Sequence, residues 1–393
     1  MMQNSLDILI IGAGIAGCCA AIALTQKGHR VRVVEKQDAW RFQSSGIFVY
    51  ANGLESLKKL GILEDMLAAG FAVPEGRNAY YDHTGQPIVE TIYPTADEGR
   101  IPAILGIKRA EMHRVMAARV TALGVPVQLG TTVAALDETA DGITVTLSDG
   151  TTVQADLVVA ADGLRSATRA MIGIDVAPRY TGVGVWRAVH RRPDALRDKI
   201  MMMGPAKRFG IMPISDDLLY TFGTVAEPKD SYYAPADWPR IMAGRFAEFA
   251  GPAAPFLAEL SAQTEVLYTA VEEVVLPLPW HRGRVQLIGD AAHASTPFMG
   301  QGGAMAMQDA VVLAEALAAH ETLEEALTSF GQARLPVCAF VQDVSRAVGE
   351  AGAQEATGDA SARHAEMRAT AQEKVDGFYG RLKALSEAAH FRQ

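Results

Sequence analysis

Three short apolar runs, each followed within a few residues by glycine or aspartate, predict buried strands. They are Asp7–Ile11, Leu157–Ala160 and Arg284–Ile288. Short segments in which apolar residues predominate are typical of strands that are covered on both faces of a parallel sheet. The first run is followed by a helical pattern over Ile15–Lys27, which Gly28 ends, and by a further strand, Arg30–Glu35. The N-terminal unit is therefore predicted to be βαβ.

The hydrophobic pattern changes in the middle of the chain. Val127–Gln154 predicts a β-meander because Asp141-Gly142 and Asp149-Gly150 are strong hairpin signals. Tyr180–Val225 predicts antiparallel strands, and Glu265–Val275 predicts another strand. Helices are predicted over Asn52–Leu60, Arg109–Leu123, Ile241–Ala250 and from Gln301 to the end, with a break at Gly358-Asp359.

We therefore predict an α/β fold in which a Rossmann-like cofactor domain is interrupted by an antiparallel β-sheet domain. The predicted cofactor domain comprises residues 1–72, 100–178 and 278–345. The predicted substrate domain comprises 73–99 and 179–277, and residues 346–393 form a C-terminal helical segment.

The composition narrows the functional class. The 393 residues are 49% hydrophobic and 21% charged, as in ordinary globular proteins, and the net charge of −9 disfavours nucleic acid or an anionic membrane as partner. Glycines interrupt the apolar run Ile8–Leu24, and Met1–Leu6 contains no basic residue, so neither a membrane span nor a signal peptide is expected. Three cysteines cannot form a disulfide framework, so we expect a cytoplasmic protein.

The sequence Gly12-Ala13-Gly14-Ile15-Ala16-Gly17 matches the dinucleotide fingerprint GxGxxG between a strand and a helix. Its first glycine permits a tight turn, the second lets a pyrophosphate approach, and the third lets the helix pack closely. Glu35, at the end of the second strand, is placed to accept hydrogen bonds from ribose hydroxyls and to repel a 2′-phosphate. Ala16 and Lys36 are included in this predicted site. The motif alone leaves NAD and FAD open.

A second segment, Asp156–Arg169, carries an aspartate-glycine turn at Asp162-Gly163 after a buried strand. Asp162 can orient main-chain amides and hydroxyls, and Arg165 and Arg169 can meet a pyrophosphate. A plain hairpin turn is the alternative interpretation.

The third segment begins at Gly289-Asp290 and continues through Pro297 to the glycines Gly300, Gly302 and Gly303. Asp290 can bind the hydroxyls of a ribityl chain, and the glycine loop lets a flat ring lie against the backbone. The helix that follows aims free amides and a partial positive charge at that ring, which suits a reduced, anionic flavin. His293 is given no chemical role. The two ends of the chain thus converge on one extended cofactor, FAD.

In this order, the three segments resemble those of the single-component FAD-dependent aromatic monooxygenases of the para-hydroxybenzoate hydroxylase type. The resemblance implies that Arg109 contacts the cofactor and that no metal is required. It also implies the reaction: NADH or NADPH reduces FAD, O2 forms a flavin C4a-hydroperoxide, and a small aromatic or heteroaromatic ring is hydroxylated. The family often has an asparagine after the glycine loop, where this chain has Ala304, so backbone amides must contact the flavin there.

Within that family, Arg179-Tyr180-Thr181-Gly182 and the stretch from Gly204 to Pro213 resemble the branch of urate, hydroxypyridine and salicylate hydroxylases. This resemblance implies that Arg208 and Tyr220 face the substrate as catalytic residues. A structural ion pair for Arg208 and a place in the strand core for Tyr220 are the alternatives. The apolar candidates for the pocket wall are Met201–Met203, Met212, Phe222, Phe298 and Met299.

Two other functions share the FAD fingerprints. One is a flavin-dependent halogenase or reductase, although the halogenase signature WxWxIP is missing and the chain reads Trp186-Arg187-Ala188. The other is a non-enzymatic FAD-binding protein. The sequence leaves open the substrate, the choice between NADH and NADPH, and whether the protein is a monomer or a homodimer.

Overall fold

The computed structural model describes residues 5–40, 45–229, 231–354 and 360–391. The predicted break at Gly358-Asp359 lies outside them. The strands in chain order are β1 Asp7–Ile11, β2 Arg30–Glu35, β3 Gly46–Tyr50, β4 Phe71–Ala72, β5 Arg77–Asp82, β6 Pro87–Ile92, β7 Ile104–Lys108, β8 Val127–Leu129, β9 Val133–Glu138, β10 Ile143–Leu147, β11 Thr152–Ala155, β12 Leu157–Ala160, β13 Arg179–Arg191, β14 Lys199–Gly204, β15 Lys207–Pro213, β16 Leu218–Ala226, β17 Val266–Glu273, β18 His281–Arg282 and β19 Val285–Leu287.

Helices cover both layers of the molecule. They are α1 Ile15–Gln26, α2 Ala51–Lys59, α3 Leu63–Ala69, α4 Arg109–Ala122, α5 Ala167–Met171, α6 Trp238–Arg245, α7 Ala254–Ala258, α8 Asp290–His293, α9 Gly302–Ala319, α10 Leu323–Gln354 and α11 Ala360–Ala388. In the described part of the chain, none of these helices combines the length and the apolar composition needed to cross a bilayer. The mixed α/β class predicted from the sequence is confirmed.

A six-stranded sheet, in the order β18-β19-β12-β1-β2-β8, forms the centre of the first layer. Ile10 of β1 pairs in parallel with Val33 on one side and Val159 on the other. Its central strands β1 and β12 are mainly apolar because helices cover the sheet; Leu9, Ile10 and Val159 are fully buried. One expectation was wrong: Val127–Leu129 is not part of the meander but pairs in parallel with β2 as the sheet edge. The meander consists of β9, β10 and β11.

The second layer is a seven-stranded sheet in the order β17-β13-β16-β15-β14-β5-β6. Its two faces differ because side chains alternate along each strand. Trp186, Met202 and Phe209 point to one face and pack with α6 and α7 in a separate apolar core. The opposite face of this seven-stranded sheet faces the parallel sheet of the first layer. A third sheet, β3-β7-β4, lies in contact with both layers.

The C-terminal helices tie the two layers together. Helix α10 packs on α9 and α11, and α11 packs on β6, where the Gln372 amide exchanges two hydrogen bonds with the backbone of Ile92, at 2.8 and 2.9 Å. The predicted boundary at residue 346 falls inside α10. Helix α6 also ends at Arg245, short of the predicted Ala250, because Phe246 leaves helical geometry. The domain division stays a prediction.

Candidate active site

A cavity of about 1480 Å³ lies between the carboxyl ends of the parallel strands and the open face of the seven-stranded sheet. Loops that follow β1, β12 and β19 reach it, because neighbouring parallel strands end at the same sheet edge. Helices α10 and α11 form the far wall. The cavity therefore has one wall made of loops and another made of sheet.

The glycines of the first motif have two different roles. A Cβ on Gly17 would lie 1.8 Å from the Gly12 carbonyl oxygen, and a Cβ on Gly12, whose φ is +96°, would lie 2.6 Å from the Ala161 carbonyl oxygen. These two glycines let backbone segments approach. Gly14 lines the cavity and has no atom within 4 Å of its Cβ position, and Ala16 lines the cavity as well. The loop thus leaves space at the position where the sequence predicts a pyrophosphate.

Glu35 lies at the end of β2 beside that loop. Its carboxylate accepts hydrogen bonds from the Ala13 N–H at 2.8 Å and the Gln37 N–H at 2.9 Å. The side chain therefore fixes the glycine loop and remains half-buried, outside the cavity lining. Lys36 is exposed to solvent and does not line the cavity.

The second motif forms a closed turn. Asp162 accepts hydrogen bonds from the Ser166 hydroxyl at 2.5 Å and from the Thr168 N–H at 3.0 Å. Neither Arg165 nor Arg169, which the sequence suggested for a pyrophosphate, lines the cavity. Arg169 is buried and donates to backbone carbonyls, among them that of Ala291 at 2.9 Å, whereas Arg165 is exposed and pairs with Glu272. Within this turn, Gly163 lines the cavity.

At the third motif, the strand β19 ends in a turn at Gly289, whose φ is +60°. Asp290 begins α8, is exposed and lines the cavity. Arg109, at the start of α4, lines the same cavity, and the described residues provide no ion-pair partner for it within hydrogen-bonding distance. Burial lowers the pKa of Arg109, and the Asp290 carboxylate acts in the opposite direction. A guanidinium and a carboxylate thus face one space.

A buried ionic cluster holds this turn from behind. The Asp309 carboxylate accepts hydrogen bonds from the Gly289 N–H at 2.7 Å, His293 Nε2 at 2.6 Å and Arg334 Nε at 2.7 Å. Burial alone would raise the pKa of Asp309, but the charges of His293 and Arg334 lower it to about 2. Although burial opposes protonation of His293, Asp309 raises the pKa of its imidazole well above the ordinary value. His293 therefore anchors the turn and lies outside the cavity lining.

The same cluster contains three potential metal ligands that the sequence did not single out. Atoms of His293, Asp309 and Cys338 lie within 4.8 Å of one another, and all three residues are buried. The Arg334 guanidinium already places a positive charge on Asp309 and contacts Cys338 Sγ at 3.6 Å. This cation is why we interpret the cluster as an ion-pair network.

The glycine loop lies where α9 begins. Pro297, Phe298 and Met299 form a single 3-10 turn that lines the cavity. Gly300, with φ of +63°, follows; a Cβ there would lie 2.1 Å from the Phe48 ring. Gly302 and Gly303 also line the cavity, so the N-terminus of an 18-residue helix points its free amides at this space.

Ala304 occupies the position at which the resembling family often has asparagine. It is buried, and its Cβ lies 3.0 Å from the Cβ position of Gly53 in α2. The close approach of α2 to α9 leaves no room for a larger side chain. Backbone amides are therefore what this loop offers to a ligand.

One face of the seven-stranded sheet supplies the opposite wall. Arg208 pairs with Met203 and Thr224 across the sheet, and all three side chains line the cavity. Tyr220 and Phe222 stack on each other with ring centroids 5.3 Å apart. Gly210 and Gly46 make room for them, because a Cβ on either would lie 2.1 Å from the Phe222 or the Tyr220 ring, respectively.

Met212 was expected in this wall but does not line the cavity. It is fully buried at the end of β15, with its Cε 2.9 Å from the Cβ position of Gly106 in β7. Strand β7 covers it there. Of the other methionines considered, Met201 and Met203 line the cavity and Met202 packs on the opposite face.

Two cationic residues of the sheet face were not predicted. Arg187 lies beside Tyr220; burial lowers the pKa of its guanidinium to about 10. Lys199, 4% exposed, begins β14, and burial lowers the pKa of its amine to about 7. The signal in the sequence is alternation, because Arg187 follows the strand periodicity of Val185, and Lys199 that of Met201 and Met203.

Comparisons with known proteins agree with this arrangement. The family described as FAD binding domain matches residues 5–345. The aurachin C monooxygenase/isomerase of Stigmatella aurantiaca is 31% identical over 95% of this chain and 97% of its own length. The FAD-dependent urate hydroxylase of Mycolicibacterium vanbaalenii is 32% identical over 84% of each chain.

Solved structures give the same result. HpxO of Klebsiella pneumoniae, in a complex with FAD and uric acid, has a TM-score of 0.84 and 28% identity, covering 99% of this chain and 98% of that chain. The tetrameric form of 2-methyl-3-hydroxypyridine-5-carboxylic acid oxygenase has a TM-score of 0.77 and 26% identity, covering 90% and 94%. The resemblance found in the sequence is thereby confirmed. The chain belongs to the FAD-binding-domain family and is an FAD-dependent monooxygenase.

Proposed function

We propose that this monooxygenase hydroxylates a small planar aromatic or heteroaromatic compound held between the glycine loop and the seven-stranded sheet. The observation that carries the proposal is the continuity of the cavity. It joins the loops predicted to hold the cofactor to a sheet face that bears cations, a tyrosine and apolar side chains. Apolar walls with a few convergent polar groups suit a small planar ligand. The urate hydroxylases and the hydroxypyridine oxygenase among its relatives act on such rings.

The cofactor of this family is FAD, and the residues present fit it. Gly14 and Gly163 reach the cavity and have empty space at their Cβ positions, Arg109 offers a guanidinium and Asp290 an acceptor for hydroxyls. We propose that FAD is held directly by the cavity-lining residues Gly14, Ala16, Arg109, Asp290, Pro297, Gly300, Gly302 and Gly303. Gly12, Gly17, Asp162 and Gly289 would shape the loops behind them, and Glu35 and Lys36 lie beside the first loop, outside the cavity lining, where the sequence predicts the adenosine. When bound, FAD uses electrons from NADH or NADPH to activate O2 for transfer of one oxygen atom.

Arg208 and Tyr220 would orient the substrate. Arg208 Nη1 donates to the Lys207 carbonyl at 3.0 Å, which holds the guanidinium at the cavity wall. Burial raises the pKa of the Tyr220 hydroxyl well above its ordinary value, and the Arg187 charge offsets this only in part. Tyr220 therefore stays protonated at neutral pH and can donate a hydrogen bond to a ring substituent.

The aromatic side chains would keep water from the reacting atoms. Phe48 lies between the glycine loop and the sheet, with its ring centroid 5.8 Å from that of Phe222. Phe298 and Tyr379 line the side formed by the C-terminal helices. Excluding water protects the oxygen-transferring species from hydrolysis and strengthens the polar contacts inside.

A substrate screen tests this function. NADH and NADPH oxidation is measured with FAD-loaded protein and hydroxylated benzoates, pyridines and purines, and both the hydroxylated product and H2O2 are quantified. Product formation with one of these classes is expected. Protein that neither contains nor binds FAD would overturn the cofactor assignment, and stimulated oxidation that yields H2O2 alone with every ring would overturn the hydroxylation.

The Arg208→Met variant tests the substrate side. Hydroxylation is expected to fall at least about ten-fold while FAD stays bound, because a charged hydrogen bond to the substrate is lost. Arg240→Met is the matched control, since the Arg240 side chain on α6 is 76% exposed and, within the described ranges, pairs only with Asp237 in the turn before that helix. Unchanged turnover in Arg208→Met would remove Arg208 from the site.

The comparisons favour neither a halogenase or reductase nor a non-enzymatic FAD-binding protein. We further propose a cytoplasmic enzyme, supported by three cysteines that are free and buried. A homodimer is the assembly we propose to test by light scattering.

A further inference from the structure

The most unusual group on the cavity wall is the Lys199 amine, which the preceding proposal does not use. Lys199 is the first residue of β14 and shares its sheet face with Met201 and Met203, which also line the cavity. It is only 4% exposed. An amine in such a place loses its hydration and needs compensating partners.

The partners it has are aromatic. Its Nζ donates a hydrogen bond to the Tyr50 hydroxyl at 2.9 Å and lies 5.0 Å from the ring centroids of Phe48 and Tyr93. Among the residues that the structure describes, no aspartate or glutamate pairs with it or influences its titration. Aromatic faces and one hydroxyl offset only part of the lost hydration of an ammonium, and two of its three N–H donors have no acceptor among the described residues.

The Lys199 amine lies close to the predicted position of the flavin. The Phe48 ring that it contacts also packs on Gly300 of the glycine loop, so one aromatic ring separates Lys199 from the predicted flavin position. Arg208 pairs with Met203, four residues further along β14, which places it roughly 13 Å from Lys199 along the strand. Lys199 and Arg208 therefore lie at separate places on this cationic sheet face.

We propose that Lys199 determines specificity by binding an acidic oxygen group of the substrate, a carboxylate or an ionised ring hydroxyl. This inference rests on the proposed function and narrows its substrate class to aromatic acids. The bound anion supplies the negative charge that no described residue provides to Lys199. Its oxygens accept hydrogen bonds from the remaining N–H donors of the Lys199 amine. Tyr50 holds the amine toward the cavity, and the ring of the ligand lies among Phe48, Tyr93 and Met201.

Ligand binding to the FAD-loaded protein tests the proposal with two pairs of probes. Salicylate is compared with salicylamide for the carboxylate, and para-nitrophenol with para-nitroaniline for the ionised hydroxyl, by isothermal titration calorimetry at a pH at which para-nitrophenol is ionised. The acidic member of one pair is expected to bind roughly ten- to hundred-fold more tightly than its neutral partner, the range given by one charged hydrogen bond. The pair that shows this preference identifies which acidic group Lys199 takes.

The Lys199→Met variant is expected to lose that preference while its affinity for the neutral probe stays within about two-fold. Lys207→Met is the matched control, because Lys207 lies on the adjacent strand, pairs with Glu248 and does not line the cavity. Lys199→Arg is expected to retain part of the preference. The melting temperature of Lys199→Met is also expected to be no lower than that of the parent, because the variant removes an incompletely compensated buried amine. If Lys199→Met does not retain FAD, Lys199→Gln is used in its place.

Equal binding of acidic and neutral probes by the parent, or an unchanged preference in Lys199→Met, would overturn the role of Lys199. That outcome is distinguishable from failure of the proposed function. If acids bind through Lys199 but no ring is hydroxylated in the NAD(P)H assay, the hydroxylation is wrong and the inference on Lys199 stands. If a neutral ring is hydroxylated at full rate by Lys199→Met, the proposed function stands and this inference is wrong.

Discussion

Replacing Asp309 by asparagine removes the only negative charge from the buried cluster behind the Gly289 turn. In the parent, the Asp309 carboxylate lies 2.6 Å from His293 and 2.7 Å from Arg334, and none of the three side chains is more than 3% exposed. Asparagine keeps the shape but leaves the Arg334 charge uncompensated in the interior. Loss of one partner of a buried pair typically lowers the free energy of unfolding by about 3–5 kcal/mol.

The expected consequence is a large thermal shift together with weaker FAD binding. At about 2 °C per kcal/mol for a protein of this size class, the melting temperature should fall by roughly 6–10 °C. FAD affinity should fall as well, because Asp309 accepts the Gly289 N–H and thereby orients the turn that carries Asp290. Differential scanning fluorimetry and flavin release measured on the same sample give both values.

Asp237→Asn is the matched control for this experiment. Asp237 makes the same kind of ion pair, with Arg240 at 3.1 Å, but its side chain is 51% exposed. Exposed pairs contribute at most about 1 kcal/mol, so this variant should melt within about 2 °C of the parent. If Asp309→Asn also melts within that range and retains FAD, the cluster does not support the turn and the reasoning is refuted.

Three further predictions follow from the same geometry. Gly17→Ala should lower the melting temperature of the protein even without FAD, because the new Cβ would lie 1.8 Å from the Gly12 carbonyl oxygen. Gly14→Ala should leave the melting temperature of the apoprotein unchanged and weaken only FAD binding, because its Cβ position has no neighbouring atom. Equal melting temperatures of the two apoprotein variants would contradict this prediction. Burial raises the pKa of Cys18 to about 12, so Cys18 should react with iodoacetamide only after unfolding, as mass spectrometry of the native protein can check. The pKa of Asp309 is lowered to about 2 from 3.8, so its ionisation contributes stability that is present above about pH 4 and is lost as the pH falls through 2. This contribution amounts to about 2 kcal/mol. In urea titrations from pH 5 downward, the free energy of unfolding of the parent should therefore fall by about 2 kcal/mol more than that of Asp309→Asn.

The parallel sheet and its loops could be predicted because their signals are local. Asp7–Ile11 and Leu157–Ala160 are apolar at every position but one, as strands covered on both faces require, and the glycines follow directly. The short strand Val127–Leu129 was misplaced because three residues carry no information on which sheet they join. Its parallel pairing with β2 depends on the path of α4 across the sheet.

The ionic cluster and the two cations of the sheet could not be predicted, for a different physical reason. Asp309 and Arg334 lie on separate helices, 25 positions apart, and nothing near either residue in the sequence indicates that they meet. Arg187 and Lys199 follow strand periodicity, but a charged residue at such a position usually marks a solvent-exposed face. Only the packing of the parallel domain and the C-terminal helices against this face makes it an interior wall.

The geometry of the sheet wall indicates where substrate choice is encoded. Tyr220 and Phe222 are fixed in place because Gly46 and Gly210 leave room for their rings and for nothing larger. Changes in these aromatic residues would therefore disturb packing before they altered specificity. Lys199 and Arg208 reach the cavity as charged groups instead. Lys199 has no acidic partner among the described residues, and Arg208 lines the cavity with its guanidinium against Gly352 of α10. Substrate preference should consequently change more readily through Lys199 and Arg208 than through the aromatic wall, whereas the backbone loops that receive FAD permit little variation.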